Sequence, residues 1–127
     1  VEIAKDRDTL IVGNGDVVDL NDAREKAIDS GVDGVMIGRA IFGNPWLFND
    51  KVKLEDVSIE DRLRVMIEHT KLFEKTFSET KNFAIMKKHF NAYVTGFEGA
   101  KDLRIKLMET KTAVEVEEIV NNFLPLP

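Results

Sequence analysis

Near the start of the chain, a short apolar run that ends in a glycine-rich turn occurs twice. The first run, Thr9–Val12, leads into Gly13–Asp16 (Gly-Asn-Gly-Asp), and the second, Gly34–Ile37, leads into Gly38-Arg39. Short β-branched runs that stop at glycine are typical of buried strands in parallel sheets. The pattern therefore predicts two parallel strands joined by a right-handed crossover.

The segment between these strands is predicted to be a helix over about residues 21–30. Asn21 or Asp22 is expected to cap its start, and Gly31 to end it. With a second short helix after the second strand, this makes two βα units, whereas a TIM (β/α)8 barrel needs eight. We therefore expect residues 1–50 to be the last two units of an incomplete barrel. An upstream portion is expected to be missing, because the chain does not begin with methionine.

Strand-like sequence disappears after this point. Residues 51–57 are charged and non-periodic, which predicts a linker, and residues 58–127 carry apolar side chains at helical spacing. Four helices are predicted to start at about Ser58, Thr80, Ala100 and Thr112. The fold class expected is therefore α/β followed by an all-α bundle of about four helices. Capping-box patterns mark the starts at Ser58 and Thr112, and Pro125 is expected to stop the last helix.

The turns that follow the two strands predict a phosphate site. Loops after the last strands of a barrel commonly bind phosphate, because glycines let backbone N–H groups approach and an arginine adds a bidentate charge. Arg39 is the predicted phosphate ligand. Asp16 is expected to cap or orient its loop, because a carboxylate repels phosphate. The alternative is that the glycines only turn the chain.

The net charge of −5 argues against a generic nucleic-acid binder, but residues 79–111 hold seven basic and four acidic side chains. On a helix from about Thr80 to Thr95, Lys81 and Lys88 would share the face opposite the apolar stripe, with Lys87 at its side. Together with the cations after Gly99, they could face a phosphate backbone. Such a mixed run is also typical of a solvated face.

The chain has no cysteine and only two histidines, which argues against disulfides, a cysteine nucleophile and a metal site. His69 is expected on an exposed helix face. The chain shows neither a signal peptide nor an apolar run long enough to span a membrane, so a cytoplasmic protein is expected.

Several motifs together carry a family resemblance. They are Ile11–Asp16, Gly31–Ala40, Gly43–Phe48, Met86–His89, Tyr93, Gly96-Phe97, Gly99-Ala100 and Leu103-Arg104. This set resembles the end of the barrel and the helical region of bacterial tRNA-dihydrouridine synthases of the DusB-like type. Other FMN-binding barrels share the phosphate loops, so the specific part is their combination with Gly43–Trp46 and the helical pattern.

The resemblance implies an enzyme that reduces uridine in tRNA to 5,6-dihydrouridine with FMN, which NADPH reduces in turn. It implies that FMN is contacted by Asn14, Gly15, Asp16, Gly38 and Arg39. It also implies that the helical region docks tRNA, with candidate contacts at Lys81, Lys87, Lys88, His89, Lys101 and Arg104. For His89, half-buried packing is an equal alternative. The family's catalytic cysteine lies on an earlier loop, so this chain alone is expected to be inactive.

Two other functions stay open on the sequence. The helical region could be a stand-alone RNA-binding module, or the chain could derive from another FMN-dependent TIM-barrel oxidoreductase. In either case, two βα units without sheet neighbours would expose apolar strand faces and edges. We therefore expect self-association through residues 9–48, or loose order there, while residues 58–124 fold as a bundle.

Overall fold

The computed structural model describes residues 8–124 and divides the chain into two units, the first ending at Leu54 and the second beginning at Glu55. The first unit contains strand β1 (Val12–Asn14), helix α1 (Leu20–Ser30) and strand β2 (Gly34–Met36). The strands are parallel, with Val12 opposite Gly34 and Asn14 opposite Met36. Short 3₁₀ turns follow at Arg39–Ile41 and Leu54–Asp56.

The strand–helix–strand order was predicted correctly, but β1 begins three residues later than predicted. Its bounds are set by pairing with β2 rather than by apolarity, since Leu10 is 78% exposed and lies outside the ladder. The predicted N-cap of α1 is also wrong. Asp19 caps the helix by accepting a 2.8 Å hydrogen bond from the Asp22 backbone N–H. Gly31 ends the helix as predicted, with a left-handed φ of 66°.

The second unit contains four helices: α2 (Ile59–Phe77), α3 (Met86–Tyr93), α4 (Ala100–Met108) and α5 (Ala113–Phe123). Helix α2 packs against α3 and α5, and α4 packs against the same two helices. The core comprises Leu63, Met66, Ile67, Met86, Phe90, Tyr93, Val94, Ala100, Leu103, Leu107, Val116 and Val120. In the part of the chain described, no helix is both long enough and apolar enough to cross a bilayer.

The predicted caps of α2 and α5 are confirmed. Ser58 Oγ accepts from the Asp61 N–H at 3.0 Å, and Thr112 Oγ1 accepts from the Glu115 N–H at 3.3 Å. The predicted start of α3 at about Thr80 is wrong, because Asn82 instead caps a 3₁₀ turn over Phe83–Ile85. Pro125 lies outside the described residues.

Candidate functional site

The segments after β1 and β2 leave the same edge of the sheet, because the strands are parallel and end in register. There they line an open depression of about 890 Å³. Its lining residues are Asn14, Gly15, Asp16, Val17, Val18, Gly38, Arg39 and Ala40. The structure thus brings together all five residues that were expected to contact a cofactor.

Arg39 and Asp16, from the two different loops, form an ion pair at this depression. Their side chains are 85% and 80% exposed, so solvent screens the pair and it contributes little stability. An anion could therefore replace Asp16 as the partner of the Arg39 guanidinium with little loss of stability. Asp16 thus contacts a basic side chain of the other loop, and its role in capping or orienting its own loop stays a prediction.

The backbone of the first loop is held in an uncommon conformation. Asp16 has a φ of 42°, in the left-handed region that non-glycine residues rarely adopt. Lys26 on α1 holds this position by donating a 2.9 Å hydrogen bond to the Asp16 carbonyl oxygen. A Cβ atom added at Gly15 or Gly38 would meet no atom within 4 Å, so both backbones are open to a ligand.

At the start of α1, beside this loop, side chains accept from the backbone N–H groups of Val18 and Asp22. Asp22 accepts hydrogen bonds from Lys26 Nζ at 2.8 Å and from the Val18 N–H at 2.9 Å. The Lys26 bond and then the Val18 bond lower the pKa of the Asp22 carboxyl. With Asp19 capping the helix and Asp22 holding Val18, the Arg39 guanidinium is the side chain best placed for an anion.

The predicted RNA-binding residues lie on three different segments. Lys87, Lys88 and His89 are on α3, and Lys101 and Arg104 are on α4. Lys81 lies in the bend before the 3₁₀ turn, where its N–H donates to the Phe77 carbonyl at 2.7 Å. The prediction that Lys81 shares a helix face with Lys88 is therefore wrong.

Arg104 is partly buried, and its Nη1 donates a 2.6 Å hydrogen bond to the Val94 carbonyl. Arg62 on α2, which the sequence did not single out, donates through Nη2 to the carbonyls of Tyr93 at 2.8 Å and Thr95 at 3.2 Å. Arg62 directly precedes Leu63 in the apolar stripe of α2. A charged side chain beside the core was the only available signal.

His69 is half-buried, so the prediction of an exposed face is wrong. Its Nδ1 lies 3.3 Å from the Tyr93 hydroxyl, and its ring lies edge-on to that of His89 with centroids 4.9 Å apart. Burial lowers the pKa of both imidazoles, and for His89 the nearby His69 and Lys88 lower it further. Burial also raises the pKa of the Tyr93 phenol. Among the described residues, no group of three or more His, Cys, Asp or Glu side chains could hold a metal ion.

We expect the histidine pair to make the stability of the helical unit depend on pH. Because the folded pKa values lie below the unfolded value of about 6.5, the unfolded chain binds more protons as pH falls through that value, and stability is lost. We expect a lower melting temperature at pH 5 than at pH 7.5. Carboxylates also titrate over this range and could lower the melting temperature by themselves. The control is therefore His69→Gln, in which the melting temperature should decrease less between pH 7.5 and pH 5. An equal decrease in the variant would contradict the role of the pair.

Two glycines flank the turn between α3 and α4, and each has a φ of 79°. An added Cβ at Gly99 would lie 3.0 Å from the Phe123 ring, whereas at Gly96 it would meet nothing within 4 Å. Gly96→Ala should cost about 1–2 kcal/mol of unfolding free energy from backbone strain alone. Gly99→Ala should cost roughly a further 1 kcal/mol from overpacking. Urea unfolding of both variants measures the difference, and equal losses would contradict the steric contribution of Phe123.

Comparisons with known proteins agree with these observations. The sequence model of the family described as Dihydrouridine synthase (Dus) matches residues 1–125. A probable tRNA-dihydrouridine synthase of Staphylococcus epidermidis is 37% identical over 116 residues, and one of Staphylococcus aureus (strain Mu50) is 38% identical over 117. The probable tRNA-dihydrouridine synthase 2 of Bacillus subtilis is 35% identical over 117 residues.

Each of these alignments covers 91% of this chain and 35% of the relative, so the chain spans about a third of the length of the curated relatives it matches. The family match covers both the depression at the sheet edge and the helical unit. The chain belongs to the dihydrouridine synthase family.

Proposed function

We propose that this chain supplies the cofactor-phosphate contacts and the tRNA-docking surface of a flavin-dependent tRNA-dihydrouridine synthase. Such an enzyme reduces uridine in tRNA to 5,6-dihydrouridine. The observation that carries the proposal is the convergence of Asn14–Asp16 and Gly38-Arg39 on one depression, in a chain of this family. We further propose that residues 1–50 are the last two units of a TIM barrel, 51–57 a linker, and 58–127 the RNA-binding domain.

The residues at the depression fit the phosphate end of FMN. Arg39 offers an exposed guanidinium, and Gly15 and Gly38 leave their backbones open to close approach. Asn14 adds a side-chain amide, and Asp16 holds Arg39 until the phosphate arrives. When bound, FMN supplies the hydride chemistry and NADPH restores its reduced form.

None of the residues that we assign here is catalytic. The chain has no cysteine to act as the proton donor that the family uses, and the ionisable side chains among the residues lining the depression are Asp16 and Arg39. We therefore propose that this chain binds and positions, and that by itself it does not reduce uridine.

The first unit exposes large apolar side chains, among them Leu10 at 78%, Ile28 at 80% and Met36 at 56%. Helix α1 has no buried residue at all. We propose that these surfaces pack against the N-terminal barrel portion of the same enzyme. In the isolated chain, they would favour self-association, because exposed strand edges and faces pair readily.

The helical unit is the proposed tRNA-docking part. Lys88 on α3 and Lys101 on α4 are exposed, and Lys87, which precedes Lys88 in sequence, is partly buried. Glu98 and Asp102 lie nearby in sequence, so the surface is only moderately basic. Contact with tRNA phosphates would therefore be weak at high salt. Because tRNA is the proposed substrate, we place the protein in the cytoplasm, with no membrane partner.

A second candidate is a helical module that binds RNA without flavin. It is favoured by the helical unit, which buries a core of its own. RNA binding, which both candidate functions require, is tested by fluorescence anisotropy. Unmodified tRNA is titrated with the 127-residue chain at 50 and 200 mM salt. Binding that weakens with salt supports the docking role, and no binding at 50 mM salt would contradict it.

The phosphate site is tested separately with FMN and riboflavin. At millimolar concentrations, FMN should shift the backbone amide resonances of Gly15, Asp16 and Gly38, and riboflavin should not, because it lacks the phosphate. In Arg39→Gln, FMN should no longer shift these resonances, and the resonance positions of the helical unit should be the same as in the wild-type protein. Equal shifts with both ligands, or full shifts in Arg39→Gln, would contradict a phosphate site.

A further inference from the structure

The turn between α3 and α4, Thr95–Gly99, is held more firmly than a simple helix connection requires. Thr95, Gly96, Glu98 and Gly99 are exposed, so the turn contributes little to the core. Even so, two arginines from different helices bond to the carbonyls at its start, and both of its glycines adopt a left-handed φ.

The arginine contacts satisfy a definite need. The last carbonyls of a helix have no partner within the helix and carry negative partial charge. Arg62 Nη2 donates hydrogen bonds to the carbonyls of Tyr93 and Thr95, and Arg104 Nη1 donates one to the carbonyl of Val94 between them. Three consecutive carbonyls, from the last residue of α3, its C-cap and the first residue of the turn, are thereby paired with two positive charges.

The far side of the turn is fixed as well. The Phe97 and Phe123 rings pack with centroids 5.9 Å apart, and Gly99 lies against the same Phe123 ring. The Ala100 N–H donates to the Phe97 carbonyl at 3.2 Å and starts α4. The turn therefore sets where α4 begins relative to the end of α3.

This position matters because the exposed lysines proposed to meet RNA phosphates stand on opposite sides of the turn. Lys88 is on α3 and Lys101 is in the first turn of α4. Phosphate contacts fix the register and orientation of a protein on a nucleic acid, so we expect binding to be tighter when the separation of the two lysines is held. The packing of α3 against α4 holds the two helices together, and we expect that removing either arginine loosens the turn and lets that separation vary.

We propose that Arg62 and Arg104 are positioning residues, which clamp the end of α3 so that Lys88 and Lys101 present a fixed pair of charges to the RNA backbone. The proposal rests on the proposed tRNA-docking function. Arg62 acts through its carbonyl contacts and needs no contact with RNA. Arg104 was expected from the sequence to contact RNA directly, and the proposal gives it a role inside the protein instead.

The test is a double-mutant cycle on the 127-residue chain with unmodified tRNA at 0.1 M salt. Each lost phosphate contact should lower affinity by about five- to eightfold at this salt. Arg62→Met and Lys101→Ala should each have an effect of this size. Arg62→Met made in the Lys101→Ala background should then lower affinity by less than about twofold, because the contact that it positions is already gone.

Arg64→Met is the matched control. Arg64 lies on the same helix, and its removal changes the net charge equally, but its side chain pairs with Glu60 at 2.9 Å and not with the turn. It should lower affinity by less than about twofold. Nitrogen-15 relaxation should show faster motion of the Gly96 and Gly99 amides in Arg62→Met and no change in Arg64→Met.

The outcomes separate the two hypotheses. Wild-type protein that does not bind tRNA overturns the proposed docking function. If the wild-type protein binds tRNA, two results overturn the clamp alone. In one, the losses of affinity in Arg62→Met and Lys101→Ala multiply in the double variant. In the other, Arg62→Met and Arg64→Met lose equal affinity. If Arg62→Met does not fold, Arg62→Lys, which keeps the charge and a carbonyl donor, is measured in its place. A smaller loss in the same direction is then expected, and its absence overturns the clamp.

Discussion

Replacing Phe90 by alanine is expected to lower the unfolding free energy of the helical unit by about 3–5 kcal/mol. Phe90 is fully buried on α3, and its ring lies 6.3 Å from that of Phe83. Truncation removes the transfer energy of the ring and leaves a cavity among large side chains that relax only partly. Urea unfolding followed by circular dichroism at 222 nm measures the loss.

Leu72→Ala on α2 is the matched control, because its side chain is apolar but 63% exposed. It should change the unfolding free energy by no more than about 0.5 kcal/mol. A loss of similar size in both variants would mean that Phe90 is not at the centre of the core.

The helical unit could be predicted largely because its signals are local. Apolar spacing placed Met86, Phe90 and Tyr93 on one stripe, and all three are buried. The start of α3 was missed because Asn82 offers a competing local cap, which produces a 3₁₀ turn where uniform spacing predicted an α-helix.

The residues of the depression could be predicted because two parallel strands place their following loops at one edge. Contacts between distant residues could not. Arg62 and Tyr93 are 31 positions apart, and His69 and Tyr93 are 24 apart. That Arg62 donates to the backbone and that His69 is half-buried depend on how α2 packs on α3, and no local pattern encodes this packing.

Reversing the charge of Lys88 and Lys101 together is expected to lower tRNA affinity by at least about thirtyfold at 0.1 M salt. Each lost phosphate contact accounts for about five- to eightfold, and the two new carboxylates add repulsion. Both side chains are exposed on their helices, so the fold should be retained. Lys101 is replaced here instead of Arg104, because replacing Arg104 would also break its hydrogen bond with the Val94 carbonyl.

Anisotropy titrations of Lys88→Glu/Lys101→Glu should also show a shallower dependence of affinity on salt, with the slope reduced by about 1.4–1.8 for two contacts. Lys75→Glu is the control for net charge, because Lys75 is exposed in the last turn of α2 and far along that helix from Arg62. A reduced slope only in the double variant would place direct phosphate contacts at Lys88 and Lys101. Equal effects in the double variant and the control, scaled to charge, would mean that tRNA responds to the overall charge of the chain, and the docking surface proposed on α3 and α4 would then be wrong.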